Sequence, residues 1–184
     1  HKFALEYKDG KIVLNISDTR DSESSVWTGE KGSVWDLMST ENFSSSDKLF
    51  VTGDELTFND DASTTDVNLA EDVTPGNIFF KNNKKDYSLA GKGSILGKGS
   101  LNVEGTGTVN IKNTNKYSGG TNVKGGIVAP ATLANKDGLE FGSLGSADNT
   151  ITLSNKGTLK VASGMTASHP IVLGENGGTI NNTG

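Results

Sequence analysis

The side chains with chemistry to offer are few and scattered. The acidic set nearest to a cluster is Asp60-Asp61 after Asn59, with Asp54, Asp66 and Asp72 close in sequence. Carboxylates with turn carbonyls suit calcium, while an Asn-Asp-Asp run after a strand also reads as a simple turn. There are two histidines, His1 and His169, and the sequence marks no partner for His169. Cysteine is absent, so no thiol nucleophile exists. Serines are many, but none sits in a Gly-x-Ser-x-Gly elbow, and Gly142-Ser143-Leu144-Gly145 is one residue short of one. The enzyme alternative is a β-helical polysaccharide-degrading fragment, which needs paired carboxylates or a basic group beside a groove. The sole arginine, Arg20, falls in a polar link. Gly91-x-Gly93 resembles a phosphate loop only superficially, because neither a helix nor a Lys-Ser/Thr pair follows it. The inventory points away from an enzyme and calls for no cofactor and no metal.

Aromatic residues make up 7% of the chain, so Trp27 and Trp35, eight apart, need a purpose. With Tyr117 they could form a stacking platform for sugar. The competing reading places the tryptophans at the end of a repeat array, as packing. Nucleic-acid binding is not indicated, because the lysines are neither clustered nor interleaved with aromatics.

These residues are positioned by a chain that is 33% hydrophobic and holds 24 glycines in 184 residues. That is thin for a globular core and rich enough for a coil that buries a few side chains per strand. Charge is uneven: residues 1–72 hold 16 Asp/Glu and 6 Lys/Arg, whereas residues 73–184 hold 6 and 11. The acidic part reads as solvated loops, with a cation-binding surface as the alternative. No run of 18 apolar residues is present, so no helical membrane span is expected. No leader follows His1-Lys2-Phe3, which reads as an excised or mature segment.

Phe3–Tyr7 and Ile12–Ile16 flank Asp9-Gly10, a hairpin signal. Residues 1–25 are expected to be this hairpin plus a linker, capping the array or closing a preceding module. Residues 26–184 are expected to be one β-solenoid module. The motive is periodicity: Leu56, Val67, Ile78 and Leu89 follow each other at 11, so two steps make 22. Ile151 recurs as Ile171, and Leu159 near Ile180. A period of 20–22 with two or more strands suits one coil of a parallel β-helix. Leu49–Phe58 is expected to give two strands joined at Gly53-Asp54, and Ala131–Asn135 a helical turn. Residues 105–128 are expected to place strands at Val109–Ile111, Thr121–Val123 and Ile127-Val128, with corners at Asn113–Asn115, Ser118–Gly120 and Gly125-Gly126.

That last stretch, GTGTVNIKNTNKYSGGTNVKGGIV, resembles the passenger-associated transport repeat, also called the autotransporter-associated β-strand repeat. Gly105, Gly107, Thr108, Asn115, Tyr117, Ser118, Gly119, Gly120, Thr121 and Gly126 stand in the matching places. Further likeness lies in Phe50, Gly53, Asp54, Leu56 and Phe58, and in Tyr87, Leu89, Gly91, Gly93, Ile95, Gly97 and Gly99. Asn42-Phe43 departs mildly, since that family has Asn-Trp there. The resemblance covers roughly residues 26–184. It implies a right-handed parallel β-helix from the extracellular passenger of a bacterial surface protein. It also implies a role in secretion, folding, display or adhesion, and neighbouring modules of the same passenger as partners. A host glycan or surface protein is the remaining partner class, met by Trp27 and Trp35.

Overall fold

Apolar residues alternate with polar ones over runs of three to five, which is too short for self-standing strands. They become stable by pairing with the same stretch one coil away. A computed structural model describes the backbone of residues 2–17 and 20–183, with side chains for 5–14 and 20–183. His1, Asp18, Thr19 and Gly184 lie outside the described residues. Strands β1 (Lys2–Lys8) and β2 (Lys11–Ser17) form the expected antiparallel hairpin, with Asp9 and Gly10 both at positive φ in its turn.

The rest is a parallel β-solenoid. Successive rungs hold β3 (Ser24–Val26) and β4 (Val34–Trp35), β5 (Glu55–Asn59) and β6 (Asp66–Leu69), and β7 (Ile78–Lys81) and β8 (Tyr87–Gly91). Then follow β9 (Leu101–Val103) and β10 (Thr108–Ile111), and β11 (Thr121–Lys124) and β12 (Ile127–Pro130). A two-residue hairpin, β13 (Phe141–Gly142) with β14 (Gly145–Ser146), is inserted before β15 (Ile151–Ser154) and β16 (Gly157–Val161). The last rung is β17 (Ile171–Leu173) and β18 (Gly178–Asn182). Odd-numbered strands from β3 to β11, then β15 and β17, make one seven-stranded sheet. The other is β4, β6, β8, β10, β12, β16 and β18. A third, irregular side closes each coil through contacts such as the Val73–Ile95 bridge.

Register explains the periodicity. Leu56 pairs with Ile78, 22 residues on, and Val67 with Leu89, so the 11-residue step alternates between the two sheets. Later coils tighten to 20, as Leu101 pairs with Thr121 and Ile151 with Ile171. Two steps are about ten residues longer: Ser25 to Leu56 and Thr121 to Ile151. Inward side chains form continuous rows. Phe58, Phe80, Val103, Val123 and Leu153 share one, and Tyr87, Val109, Val128 and Leu159 another. All nine are buried.

Three local expectations are corrected. Leu49–Val51 is not a strand: Phe50 is buried against Trp35 within a strap, residues 36–52, that folds back over the N-terminal end. Ala131–Asn135 forms no helical turn, because its backbone bonds outward to the β13–β14 hairpin and to Leu139 and Ser168. The parallel sheet begins at Ser24, two residues before the expected boundary.

The strap closes the N-terminal edge. Phe43 bridges Trp27 antiparallel, the Ser44 N–H donates to the Val26 carbonyl at 2.9 Å, and the Ser45 N–H to Ser25 Oγ at 3.0 Å. The Asn42 side chain donates to the carbonyls of Gly32 and Val34 and accepts from the Lys31 N–H at 2.7 Å. This covers strand groups that would otherwise stand open.

Candidate functional site

The coil of residues 105–128 is where the recognisable motif lies, and its motif residues either fasten one rung to the next or pin a corner of the coil. A Cβ at Gly105 would run into the Asn82 backbone, at Gly119 into the Lys98 and Gly99 carbonyls, and at Gly126 into the Gly105 carbonyl. At Gly107 it would sit 2.5 Å from Asn82 Nδ2. Gly120 has φ of 86°, which L side chains adopt only with strain. Its N–H donates to Asn149 Oδ1 at 2.8 Å. The Thr108 N–H donates to Asp86 Oδ1 at 2.7 Å, and the Ser118 N–H to the Gly97 carbonyl at 2.9 Å.

Asn115 is fully buried and spans three levels. Its Oδ1 accepts from the Ile95 N–H and from Asn113 Nδ2, each at 2.8 Å, while its Nδ2 donates to the Ser143 carbonyl at 2.8 Å. Tyr117 is buried with its hydroxyl 2.6 Å from Thr121 Oγ1, so a corner is pinned to the first residue of β11. Burial pushes the Tyr117 phenol well above its ordinary value. The sequence expectation that this stretch turns at Gly119-Gly120 and restarts at Thr121 is met. The glycines of residues 91–99 divide the same two tasks. Gly91 and Gly97 have positive φ, and Gly93 and Gly99 lie on the backbone of the previous coil.

Trp27 and Trp35 are not a binding surface. Both are 0% exposed. Trp27 stacks on Phe58 at 5.9 Å, meets Phe43 edge-on at 5.3 Å and donates its Nε1–H to the Thr64 carbonyl at 2.9 Å. Trp35 packs against Phe50 at 5.4 Å and Phe58 at 5.7 Å. Their rings therefore offer no face to a sugar, and Tyr117 offers none either.

The acidic residues are spread along the coils as backbone acceptors. Asp60 accepts from the N–H groups of Asn83, Lys84 and Lys85 at 2.9–3.1 Å, capping the corner of the next coil. The Lys84 N–H above all, against desolvation and with help from Asn83 and Lys85, holds its carboxyl below the usual range. Asp72 accepts from the Ser94 N–H at 2.8 Å and Asp86 from Thr108, so each serves the coil 22 residues on. Among the described residues no three His, Asp or Glu side chains converge as a metal site would require.

Arg20 and Asp54 form the most charged arrangement, which sequence reasoning left in a linker and a turn. Arg20 Nη1 and Nη2 donate to the two Asp54 oxygens at 2.8 and 2.7 Å, and Nη2 also to the Leu49 carbonyl at 3.0 Å. The Asp54 oxygens also accept from the Glu23 and Val51 N–H groups at 2.9 Å. Asp54 is 0% exposed. The hydrogen bond to Asp54 raises Arg20 above its ordinary value despite desolvation. Asp47 lies 3.2 Å from Arg20 Nε. Desolvation pushes its carboxyl up, but the Leu49 N–H and the Arg20 charge outweigh this and leave it lowered. No local signal could have joined Arg20 to a partner 34 residues away.

His169, buried, lies between the Asn149 carbonyl (Nδ1, 2.9 Å) and the Ala134 N–H, which donates to Nε2 at 3.2 Å. Nε2 accepts and Nδ1 donates, so the ring pins the inserted loop to the coils. Beside it, a shallow groove of about 350 Å³ is lined by Leu133, Leu139 and Met165 with Thr132, Ser163 and Thr166, and by no ionisable side chain. No family model matches this chain, and no curated protein or solved structure matches it.

Proposed function

We infer that this chain is a structural and display module of a bacterial autotransporter-type passenger, working at the cell surface or after secretion. Its role is mechanical: to fold progressively, to carry neighbouring modules outward, and to support adhesion without catalysis. One observation carries the reading. The ten residues that resemble the transport repeat, Gly105 to Gly126, sit where backbone contacts its neighbouring coil or where a corner is pinned. A chain that adds coils by nearest-neighbour contact can order itself from one end as it emerges. Coil-to-coil fastening is what such a process needs at each step. Neighbouring modules of the same passenger are its expected partners. A glycan or host-protein contact has lost its named residues, since both tryptophans are interior.

The test places the chain between a secretion leader and an outer-membrane barrel and measures protease-resistant protein at the cell surface. Gly120→Val, which forces a branched side chain into positive φ, is expected to reduce display severalfold. Lys112→Gln, at an exposed position just after β10, is expected to leave it unchanged. Equal display of both variants would refute the assignment. Loss of display with unaltered refolding of the purified chain would locate the role in export.

A further inference from the structure

The ring of His169 grips both ends of the inserted segment, residues 131–149, which makes its coil about ten residues longer than the one before it. The Ala134 N–H donates to Nε2 at 3.2 Å, and the Nδ1–H donates to the Asn149 carbonyl at 2.9 Å. Two bonds beside the ring complete the clasp. The Ser168 N–H donates to the Ala134 carbonyl at 3.1 Å, and the Lys136 N–H to Ser168 Oγ at 3.1 Å. His169 is buried, and Ala134 is fully so. A neutral imidazole has one donor and one acceptor, and here both are spent. A second proton would sit on Nε2 and meet the Ala134 N–H, donor against donor, leaving buried donors without an acceptor.

We propose that this clasp is an acid-sensitive switch: neutral His169 holds the loop of residues 134–140 against the coils, and protonation frees it. The charged and titratable groups on the elements packed around the ring do not offset the added charge. On the insert, Lys136 and Asp148 pair with each other at 2.7 Å, and Asp137 and Glu140 are exposed. On the coil beneath, Lys116 lies over the Phe141 ring at 5.8 Å, and the Tyr117 hydroxyl bonds Thr121. Residues 150–155 and 162–174 hold no acid or base besides His169. Opening is confined by what stays fastened. The β13–β14 hairpin remains bound through the Ser143 carbonyl to Asn115 Nδ2 and through Ser143 Oγ to the Thr132 N–H. The Gly120 N–H still holds Asn149 Oδ1. The part that moves is therefore the 134–140 loop, and its movement uncovers Ala134.

An imidazole released into water takes a proton near pH 6.5, so below about that value each pH unit favours the open loop about tenfold. Hydrogen exchange of the Ala134 and Lys136 amides, corrected for intrinsic rates, tests the switch. In the wild-type chain their protection is expected to fall about tenfold between about pH 7.5 and about pH 5.5. His169→Gln keeps an acceptor for Ala134 and a donor for Asn149 but does not titrate, and its protection is expected to stay level across that window. Asp148→Asn is expected to show the wild-type fall. Wild-type protection that stays level overturns the proposal. An equal fall in His169→Gln, or no fall in Asp148→Asn, assigns the effect to a carboxylate and overturns it as well. Should His169→Gln fail to fold, nuclear magnetic resonance of the wild-type chain decides. The His169 ring protons should titrate in step with the Ala134 amide, and a ring that titrates with that amide unmoved contradicts the switch. Melting curves that probe the carboxyl groups are read in the His169→Gln background, where this window is silent.

Discussion

The first and the last described rungs contain similar short strands in the same two sheets, yet their outer edges are covered differently. At the N-terminal end the strap of residues 36–52, which makes that one coil about ten residues longer than the next, brings Phe43 and Phe50 against Trp27 and Trp35. Arg20 then locks that strap to the second coil through Asp54. In the last described rung, all three residues of β17 are exposed. The same alternation of apolar residues is therefore core at one end and surface at the other. What differs is coverage from outside the repeat. In a one-dimensional fold, a rung is as stable as its neighbours make it, and a cap substitutes for a missing neighbour.

Substitutions matched across the axis test this contrast, and the largest effect belongs to the capped end. Phe58 is fully buried between Trp27 and Phe80, with ring centroids 5.9 and 4.9 Å away. Phe58→Ala should cost about 4 kcal/mol in urea unfolding. Its counterpart in the same inward row at the far end, Leu173→Ala, should change stability by less than about 0.5 kcal/mol. Equal costs would dissolve the comparison. Next in size is Asp54→Asn. It keeps the shape but leaves the Arg20 guanidinium, only 13% exposed, without its fully buried carboxylate partner, Asp47 and Glu23 remaining at 3.2 and 3.5 Å, at about 3 kcal/mol. A thermal scan checks it, and the loss should be largest in the signal of the nearby tryptophans.

These two sites also show what the sequence could disclose. The hairpin, the 11-residue alternation, the corners at Gly119-Gly120 and Gly125-Gly126, and the role of the motif residues all follow from local pattern. Period and turn chemistry act over a few residues. The strap, the Arg20–Asp54 pair and the His169 pin do not follow, because their partners lie 8 to 35 residues away and no repeat marks them. The burial of Trp27 and Trp35 was one of two readings, and only the strap decides it. The helical turn expected at Ala131–Asn135 failed for the same reason: His169 and the β13–β14 hairpin claim that backbone from a distance.

Acid should have a smaller effect. Asp47 and Asp60 in the N-terminal half, and Asp148, hydrogen-bonded to Lys136 between β14 and β15, are held below the ordinary carboxylate range. A carboxyl whose folded value is depressed stabilises the fold above its unfolded value, near pH 4, and that contribution is lost as pH falls through the folded value. Melting temperature should therefore be flat from neutral pH to about pH 5 and fall below about pH 4. Asp60→Asn should make the acid limb shallower. An unchanged limb would show that the corner at Asn83–Lys85 does not depend on the charge of Asp60. The smallest effect is Ile180→Thr, exposed on β18, expected within about 0.5 kcal/mol of wild type.

Hydrogen exchange read rung by rung tests the capped-and-open account most directly. Amides of β5, β7, β9 and β11 should be the slowest, those of β3 nearly as slow because the strap covers them, and those of β17 and β18 the fastest of the solenoid. Protection in β17 and β18 equal to that of β9 in a dilute monomer, or a β3 that frays as fast as β17, would contradict it.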